Sequence, residues 1–196
     1  MITVNQIGEG RYRKVYSDGN KALKILRPKI KKNYWLLQIE FPTKTYTKFK
    51  FGIDDFNRFE HETYLQIIEK IPQNLRNSFY EIYGVLGNTL LSELVRDYDG
   101  KVSEPISKKQ RVGNIYFWNR INDLESLLID KEILLMDVRG ENILVRETEE
   151  NKKIPVIVDY KRYGSRTYPF QFLNKKRMVE KIRRRFKKIR EDHRIA

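Results

Sequence analysis

Two kinds of hydrophobic periodicity divide this sequence of 196 residues. In the first half, apolar residues come in short runs separated by turn residues, as where Asp18-Gly19 precedes the run at 22–26. Such runs are typical of strands joined by hairpins. From residue 107 to residue 130 apolar side chains recur instead at helical spacing, and short apolar runs follow at 133–136, 143–145 and 156–158. This order predicts an α+β fold with two lobes.

We expect the two lobes to divide after residue 95. The N-terminal lobe, residues 1–95, would hold two hairpins and one helix, whose apolar face includes Phe59, Tyr64 and Ile67 after a cap at Asp54-Asp55. The C-terminal lobe, residues 96–196, would hold the long helix, the later strands and a small helical region that ends in a basic helix.

Composition excludes several kinds of site. The chain contains no cysteine, which removes disulfides, cysteine nucleophiles and thiolate metal sites. Its two histidines, His61 and His193, lie far apart in the sequence without ligand spacing around them, which argues against a zinc enzyme. No run of 18 apolar residues predicts a membrane span, and the first residues do not resemble a signal peptide. We therefore expect a cytoplasmic location.

The net charge of +14 is concentrated in two segments. Residues 174–196 contain eleven basic and three acidic residues, and residues 28–52 contain six lysines and one acid among several aromatic residues. Each segment has two interpretations, which are contact with a polyanion and packing on the domain. Packing is favoured for both: residues 44–51 alternate as a strand does, and a helical stripe in the tail consists of Met178, Ile182, Phe186 and Ile189.

Two glycines, Gly8 and Gly10, precede Val15 in the pattern G-x-G-x-x-x-x-V. Glycines in a turn between strands let backbone amides approach phosphate groups without an intervening side chain. The pattern is also common in ordinary hairpins. A strand rather than a helix is expected after it, which disfavours a Rossmann-type dinucleotide site.

Lys24 lies within the apolar run of the next strand, where an unpaired charge would be costly. Glu60 is the predicted partner, because it lies on the apolar face of its helix whereas Glu62 points off that face. The alternative is a half-exposed lysine and a peripheral acid.

An acidic constellation occupies the second half of the chain. Asn142 follows Asp137 by five residues, and Asp159 comes at the end of an apolar run after a predicted strand hairpin. An amide and a carboxylate are hard oxygen ligands suited to Mg²⁺, and the first carboxylate can accept a proton. The alternative is that these side chains cap turns.

Taken in order, these residues resemble the protein-kinase-like fold along the whole chain. The resemblance implies a glycine-rich loop at 8–15, in which the backbone from Gly8 through Tyr12 covers the phosphates, and it implies the kinase lysine–glutamate pair in Lys24 and Glu60. It also implies a hinge between the lobes at Glu93 and Val95.

More narrowly, the chain resembles the YrbL family, described as PhoP regulatory network proteins, whose members are small bacterial kinase-like proteins. Segments 8–16, 96–101, 140–144 and 154–159 carry this resemblance. The sequence departs from kinases at three places: Arg13 stands where a third glycine is usual, Leu135-Met136 replace His-Arg, and Tyr160-Lys161 replace Phe-Gly. Too few residues follow Asp159 for the large helical lobe of protein kinases, so the usual recognition of a peptide substrate is not expected.

The resemblance implies an ATP- and Mg²⁺-dependent phosphotransferase. Asp137 would orient and deprotonate the acceptor hydroxyl, Arg139 would stabilise the γ-phosphate, and Asn142 and Asp159 would hold the metal. By analogy, the acceptor is a non-protein hydroxyl such as that of a sugar or a lipopolysaccharide core. Two alternatives stay open: a nucleotide-binding pseudokinase that regulates a partner, and, less favoured, a basic nucleic-acid-binding module.

Overall fold

The protein is described from a computed structural model, which covers residues 5–9, 13–26, 56–108, 111–134, 136–160 and 174–195. Several sequence predictions fall outside these ranges. They are the phosphate-loop residues Gly10 and Arg11, the helix cap at 54–55 and the basic aromatic segment at 28–52.

The N-terminal part of the chain forms a five-stranded antiparallel sheet. Its strands are β1 (Asn5–Glu9), β2 (Arg13–Asp18), β3 (Lys21–Leu26), β4 (Ile82–Leu86) and β5 (Thr89–Glu93), in the spatial order β1-β2-β3-β5-β4. Two-residue turns close the β2–β3 and β4–β5 hairpins, and each begins with a glycine, Gly19 or Gly87, whose φ is +57°. Glycine adopts this left-handed conformation without the steric cost of a Cβ atom, which favours the predicted hairpins at these positions.

Helix α1 (Phe56–Ile68) packs on one face of this sheet, against β3, β4 and β5. Its buried face includes the apolar side chains Phe59, Tyr64 and Ile67 at helical spacing. Glu60 lies on the same face and is completely buried. The apolar packing of α1 therefore carries a carboxylate against the sheet.

The C-terminal part combines two helices with a smaller sheet. Helices α2 (Ile115–Asp130) and α3 (Lys175–His193) pack on each other, and α2 also covers a three-stranded sheet of β6 (Glu104–Pro105), β7 (Ile143–Glu149) and β8 (Lys152–Ile157). The completely buried side chains here include Ile121, Leu124, Leu128, Val156 and Phe186. No helix in the described ranges is both long enough and apolar enough to cross a bilayer.

The prediction of a helix from residue 107 was wrong at its start. Residues Ile106–Lys108 form a single 3₁₀ turn, and α2 begins only at Ile115. Asn114 sets this boundary, because its side chain accepts a hydrogen bond of 3.0 Å from the backbone N–H of Phe117.

The prediction of a strand at 133–136 was also wrong for the residues that the structure describes there. Helix α2 ends at Asp130, and Glu132, two residues beyond it, has φ 55°; the N–H of Ile133 donates to the carbonyl of Leu128 and the N–H of Glu132 to the carbonyl of Ile129. These are the two hydrogen bonds of a Schellman cap, which turns the chain sharply. Ile133 and Met136 are buried as predicted, but they lie in irregular backbone that leads to Asp137.

The basic tail is a docked helix. Ile182, Phe186 and Ile189 of α3 are buried, Met178 is half-buried, and the side chain of Asn174 caps the first turn. At the other end, the carbonyl of His193 accepts a hydrogen bond of 2.8 Å from the N–H of Val112. The packing interpretation therefore describes the tail, while its basic side chains, including Arg183, Arg184 and Lys187, stay exposed.

We predict that Phe186→Ala destabilises the protein by about 3–5 kcal/mol, because it removes a completely buried ring and leaves a cavity. Melting followed by circular dichroism measures this loss, which corresponds to roughly 2–4 °C per kcal/mol in a domain of this size. The matched control on the same helix is the double variant Arg183→Glu and Arg184→Glu, whose exposed side chains should shift stability by no more than about 0.5 kcal/mol each. Equal losses in both variants would contradict the docking of α3.

Candidate functional site

Strand register places three of the predicted site residues side by side on one face of the larger sheet. Gly8 pairs with Val15, and Val15 pairs with Lys24. The side chains of residues paired across antiparallel strands project to the same side of the sheet. Positions 8, 15 and 24 therefore lie on one face, which is the face of the Lys24 side chain. Among the residues that the structure describes, a Cβ atom built on Gly8 would meet only Val15, at 3.7 Å, an ordinary contact. These residues therefore leave room for a side chain at Gly8.

A buried ion pair joins this sheet face to α1. The Nζ of Lys24 lies 3.1 Å from Oε1 of Glu60, and it also donates a hydrogen bond of 2.8 Å to the hydroxyl of Tyr80. The Tyr80 hydroxyl in turn donates to Glu60. Burial lowers the pKa of Lys24, although the Glu60 carboxylate favours the charged form. Burial and the same carboxylate raise the pKa of Tyr80 well above its usual value. Glu60, and not Glu62, is thus the partner of Lys24.

Arg13 is a second cation on the same carboxylate, and sequence reasoning missed it. Its Nη1 forms an ion pair with Glu60 and donates 3.1 Å to Oδ1 of Asn57, while its Nη2 lies 3.8 Å from Oδ1 of Asp159. Burial acts to lower the pKa of Arg13, but the Glu60 and Asp159 carboxylates raise it above the ordinary value. One signal was available, since strand alternation puts Arg13 on the same face as Val15 and Lys24.

Asn57 is another site residue that the sequence did not reveal. Its Nδ2 donates 2.9 Å to the carbonyl of Lys24 and 2.7 Å to the carbonyl of Asn88 in the β4–β5 turn. It lies three residues before Glu60 and therefore on the same side of α1. These bonds fix the first turn of α1 to the sheet at the level of the lysine.

The second part of the site is a short loop before β7. Asp137 is 3% exposed, and its carboxylate accepts hydrogen bonds from Arg139, 2.8 Å from Nη2 and 3.1 Å from Nε. The Nδ2 of Asn142 donates 3.0 Å to the carbonyl of Asp137 across the 3₁₀ turn Gly140–Asn142. Burial acts to lower the pKa of Arg139, but the bond and charge of Asp137 raise it. The five-residue spacing thus closes a compact loop around one carboxylate.

Asp159 is held between this loop and the N-terminal sheet. The N–H of Val158 donates 2.9 Å to the carbonyl of Asn142, and Asp159 itself has φ +74°, which is unusual for a residue with a side chain. The next residue, Tyr160, is completely buried, and its hydroxyl donates to the carbonyl of Tyr80. Its ring stacks on those of Tyr64, Phe79 and Tyr80, with centroids 5.4, 6.4 and 4.8 Å away.

These positions give a donor set suited to Mg²⁺. The Nδ2 of Asn142 is occupied by Asp137, which leaves Oδ1 as the side-chain atom for a cation, and Asp159 offers a carboxylate that is about one-third exposed. Both are hard oxygen ligands, and Mg²⁺ bound by one or two protein groups takes its remaining ligands from phosphates and water. Within the described ranges no cluster of three or more acidic, histidine or cysteine side chains forms a metal cage.

The predicted hinge residues lie at the junction between the two sheets. Glu93 forms an ion pair with Arg146 of β7, and the carbonyl of Val95 accepts a hydrogen bond of 3.0 Å from the N–H of Ser103. The structure thus forms three groups of site residues: Lys24, Glu60 and Asp159 around Arg13, the loop from Asp137 to Asn142, and the hinge. Gly10 and Arg11 lie outside the described residues.

The fold matches that of known kinases. The structure of the Rio2 kinase from Chaetomium thermophilum superposes with a TM-score of 0.56 at 17% identity, over 97% of this chain and 57% of that chain. The Rio2 kinase–ADP/Mg²⁺–phosphoaspartate complex from the same organism gives a TM-score of 0.54 at 18% identity, over 95% and 56%. This chain therefore spans just over half the length of those kinases, and the likeness establishes a reduced two-lobed protein-kinase-like fold.

The sequence comparisons give the family. No curated protein matches the sequence. A family model does match, over residues 3–194, and its description is PhoP regulatory network protein YrbL. This range covers nearly the whole chain and confirms the resemblance that the glycine turn and the acidic segments predicted. The protein is therefore a member of the YrbL family, with a kinase-like fold.

Proposed function

We propose that this protein binds ATP with Mg²⁺ and transfers the γ-phosphoryl group to a hydroxyl acceptor. The observation that carries the proposal is the buried pair of Lys24 and Glu60, on the sheet face that also bears Gly8 and Val15. A buried ion pair loses the hydration of both charges and contributes little net stability, so its presence at this position points to a role for the lysine charge beyond folding. A lysine held beside a glycine turn is suited to contact the α- and β-phosphates of a nucleotide.

The metal would be held by Asn142 and Asp159, whose oxygens fit Mg²⁺. A bound Mg²⁺ ion would neutralise charge on the β- and γ-phosphates. The chain contributes the position of its ligands, since the bond from Val158 to Asn142 fixes the backbone of the two segments relative to each other. The Rio2 kinase structure, obtained with ADP and Mg²⁺, supports this assignment through its shared fold.

Asp137 is the proposed general base. In the transfer, the acceptor oxygen forms a bond to the γ-phosphorus, the bond to the β-phosphate oxygen breaks, and the acceptor proton passes to the carboxylate of Asp137. Arg139 holds this carboxylate with Nε and Nη2, and its Nη1 is free of that pair to stabilise charge on the γ-phosphoryl oxygens. The backbone of Gly8, Gly10 and Arg11 would cover the phosphates. The hinge at Glu93 and Val95 would contact the adenine base of the nucleotide.

The proposal extends to the chemical class of the acceptor and to the physiological role of the protein. A non-protein hydroxyl, such as that of a sugar or a lipopolysaccharide core, is the acceptor we favour, because the fold is reduced. The regulatory alternative is a pseudokinase that binds nucleotide without transfer. The exposed basic face of α3, which includes Lys176, Arg177 and Arg184, is where a polyanionic partner would bind.

The first prediction is that Mg-ATP stabilises the protein against unfolding. At a concentration one hundred times its dissociation constant, a ligand of the folded state contributes about 2.7 kcal/mol. Thermal shift with ATP, ADP and GTP, each in the presence of Mg²⁺ or Mn²⁺, measures this effect. If no nucleotide shifts the melting temperature, both the kinase and the pseudokinase interpretations fail.

The second prediction separates base from metal ligand. Asp137→Asn keeps the shape of the side chain but removes the proton acceptor, so transfer to any acceptor, or hydrolysis of ATP, should fall by about 10²–10⁴-fold while ATP binding survives. Asp159→Asn should instead weaken ATP binding in Mg²⁺ more than in EDTA, because a charged ligand is lost. Turnover with labelled ATP and calorimetric titration read out the two effects. Wild-type levels of turnover in Asp137→Asn would contradict its role as the base.

The third prediction concerns Gly8. Because a Cβ there meets only Val15 among the described residues, at an ordinary contact distance, we expect Gly8→Ala to change the free energy of unfolding by less than about 1 kcal/mol. The added methyl group would project on the face proposed to receive phosphates, so the affinity for ATP should fall severalfold. Adenosine is the internal control, since it has no phosphates and its binding should be unchanged. Equal ATP affinity in the variant would remove Gly8 from the proposed phosphate site.

A further inference from the structure

Two cations share one completely buried carboxylate in this site. Lys24 alone would balance the charge of Glu60, and Tyr80 already supplies a further hydrogen bond to it. Arg13 adds a second positive charge through Nη1. The trio of Arg13, Lys24 and Glu60 has a net charge of +1, which the carboxylate of Asp159, 3.8 Å from Nη2 of Arg13, balances.

The guanidinium of Arg13 contacts Glu60 and Asp159 with different nitrogen atoms. Its Nη1 is used by Glu60 and by Asn57, whereas Nη2 lies 3.8 Å from Oδ1 of Asp159, beyond the range of a hydrogen bond. Nη2 carries two N–H donors, and a planar guanidinium suits the oxygens of a phosphate group. The Nη2 donors therefore lie next to a proposed metal ligand, while the hydrogen bond to Glu60 comes from Nη1.

We propose that Arg13 is a further phosphate-binding residue of this site, whose Nη2 edge donates to the polyphosphate of the bound nucleotide. The inference rests on the proposed function. A polyphosphate placed between Lys24 and Asp159 would otherwise face the Asp159 carboxylate, and like charges repel. The guanidinium between them supplies the charge that offsets this repulsion and provides directed donors for phosphate oxygens.

A purely structural role explains the Nη1 contacts but not the position of Nη2 beside Asp159. If Arg13 served only to hold α1 on the sheet, the bonds from Asn57 to the carbonyls of Lys24 and Asn88 would already do so at the same place. Without Arg13, Glu60 also keeps a cation and a hydroxyl donor. Replacement of Arg13 therefore does not leave an uncompensated buried charge, and its variants are expected to fold.

The test is a calorimetric comparison of ATP, ADP and adenosine, all in Mg²⁺, on the wild-type protein and on variants of β2. Arg13→Gln removes the positive charge. Arg13→Lys keeps the charge but removes the planar guanidinium group with its several N–H donors. Lys14→Gln is the matched control, because it removes one positive charge from the neighbouring residue on the opposite face of the strand. Melting curves of all four proteins accompany the titrations.

We expect Arg13→Gln to weaken ATP and ADP about tenfold or more and to leave adenosine within twofold, since a hydrogen bond between charged groups is worth at least one such factor. Arg13→Lys should give an intermediate loss, and Lys14→Gln should match the wild type. If Arg13→Gln does not fold, the same comparison is made with Arg13→Lys. A loss of affinity for ATP without a loss of affinity for adenosine would then support the inference.

Three results would overturn the inference while leaving the proposed function intact. They are unchanged ATP affinity in both Arg13 variants, an equal loss for adenosine and ATP, and tighter ATP binding, which would mean that Arg13 competes with the metal ion for Asp159. A wild-type protein that binds none of the three ligands would overturn the proposed function and this inference together.

Discussion

The carboxylate of Glu60 organises the proposed site, and its complete burial explains why so many groups converge on it. An ionised carboxylate away from water needs partners, and it receives them from β2 (Arg13), from β3 (Lys24) and from Tyr80, just before β4. Each partner comes from a different element. The position of α1 on the sheet and the position of the Lys24 side chain on the sheet face beside Val15 therefore depend on the same ion.

The position of Asp159 relative to the Lys24–Glu60 pair depends on Tyr160. Its buried ring stacks on aromatic residues of α1 and of the segment before β4, and its hydroxyl donates to the carbonyl of Tyr80, the residue whose own hydroxyl contacts Glu60. Asp159 directly precedes this anchor and approaches Arg13. In this family member the tyrosine at the place of the usual kinase phenylalanine thus ties the proposed metal ligand to the lysine–glutamate pair.

Much of the fold could be predicted because its signals are local. The hairpins form where Gly19 and Gly87 permit a tight turn, and apolar spacing identified the faces of α1 and α3. The two wrong predictions, the start of α2 and the strand at 133–136, were based on hydrophobicity alone and did not consider backbone hydrogen bonds. A cap at Asn114 delays α2, and the turn at Glu132 leads the buried residues after it into irregular chain rather than a strand. An apolar run indicates burial, but hydrogen-bond partners decide whether a strand forms.

By itself the sequence determined the order of the elements, the family, the buried face that bears Glu60, and the loop in which Asn142 reaches back to Asp137 over five residues. These depend on neighbours along the chain. Only the tertiary structure decided that Arg13 meets Glu60 and Asp159, and that Tyr80 and Asn57 complete the network. The partners of Arg13 lie 47 and 146 residues further along the chain. Periodicity gives the face on which a side chain lies, whereas the packing of distant elements determines what lies opposite that face.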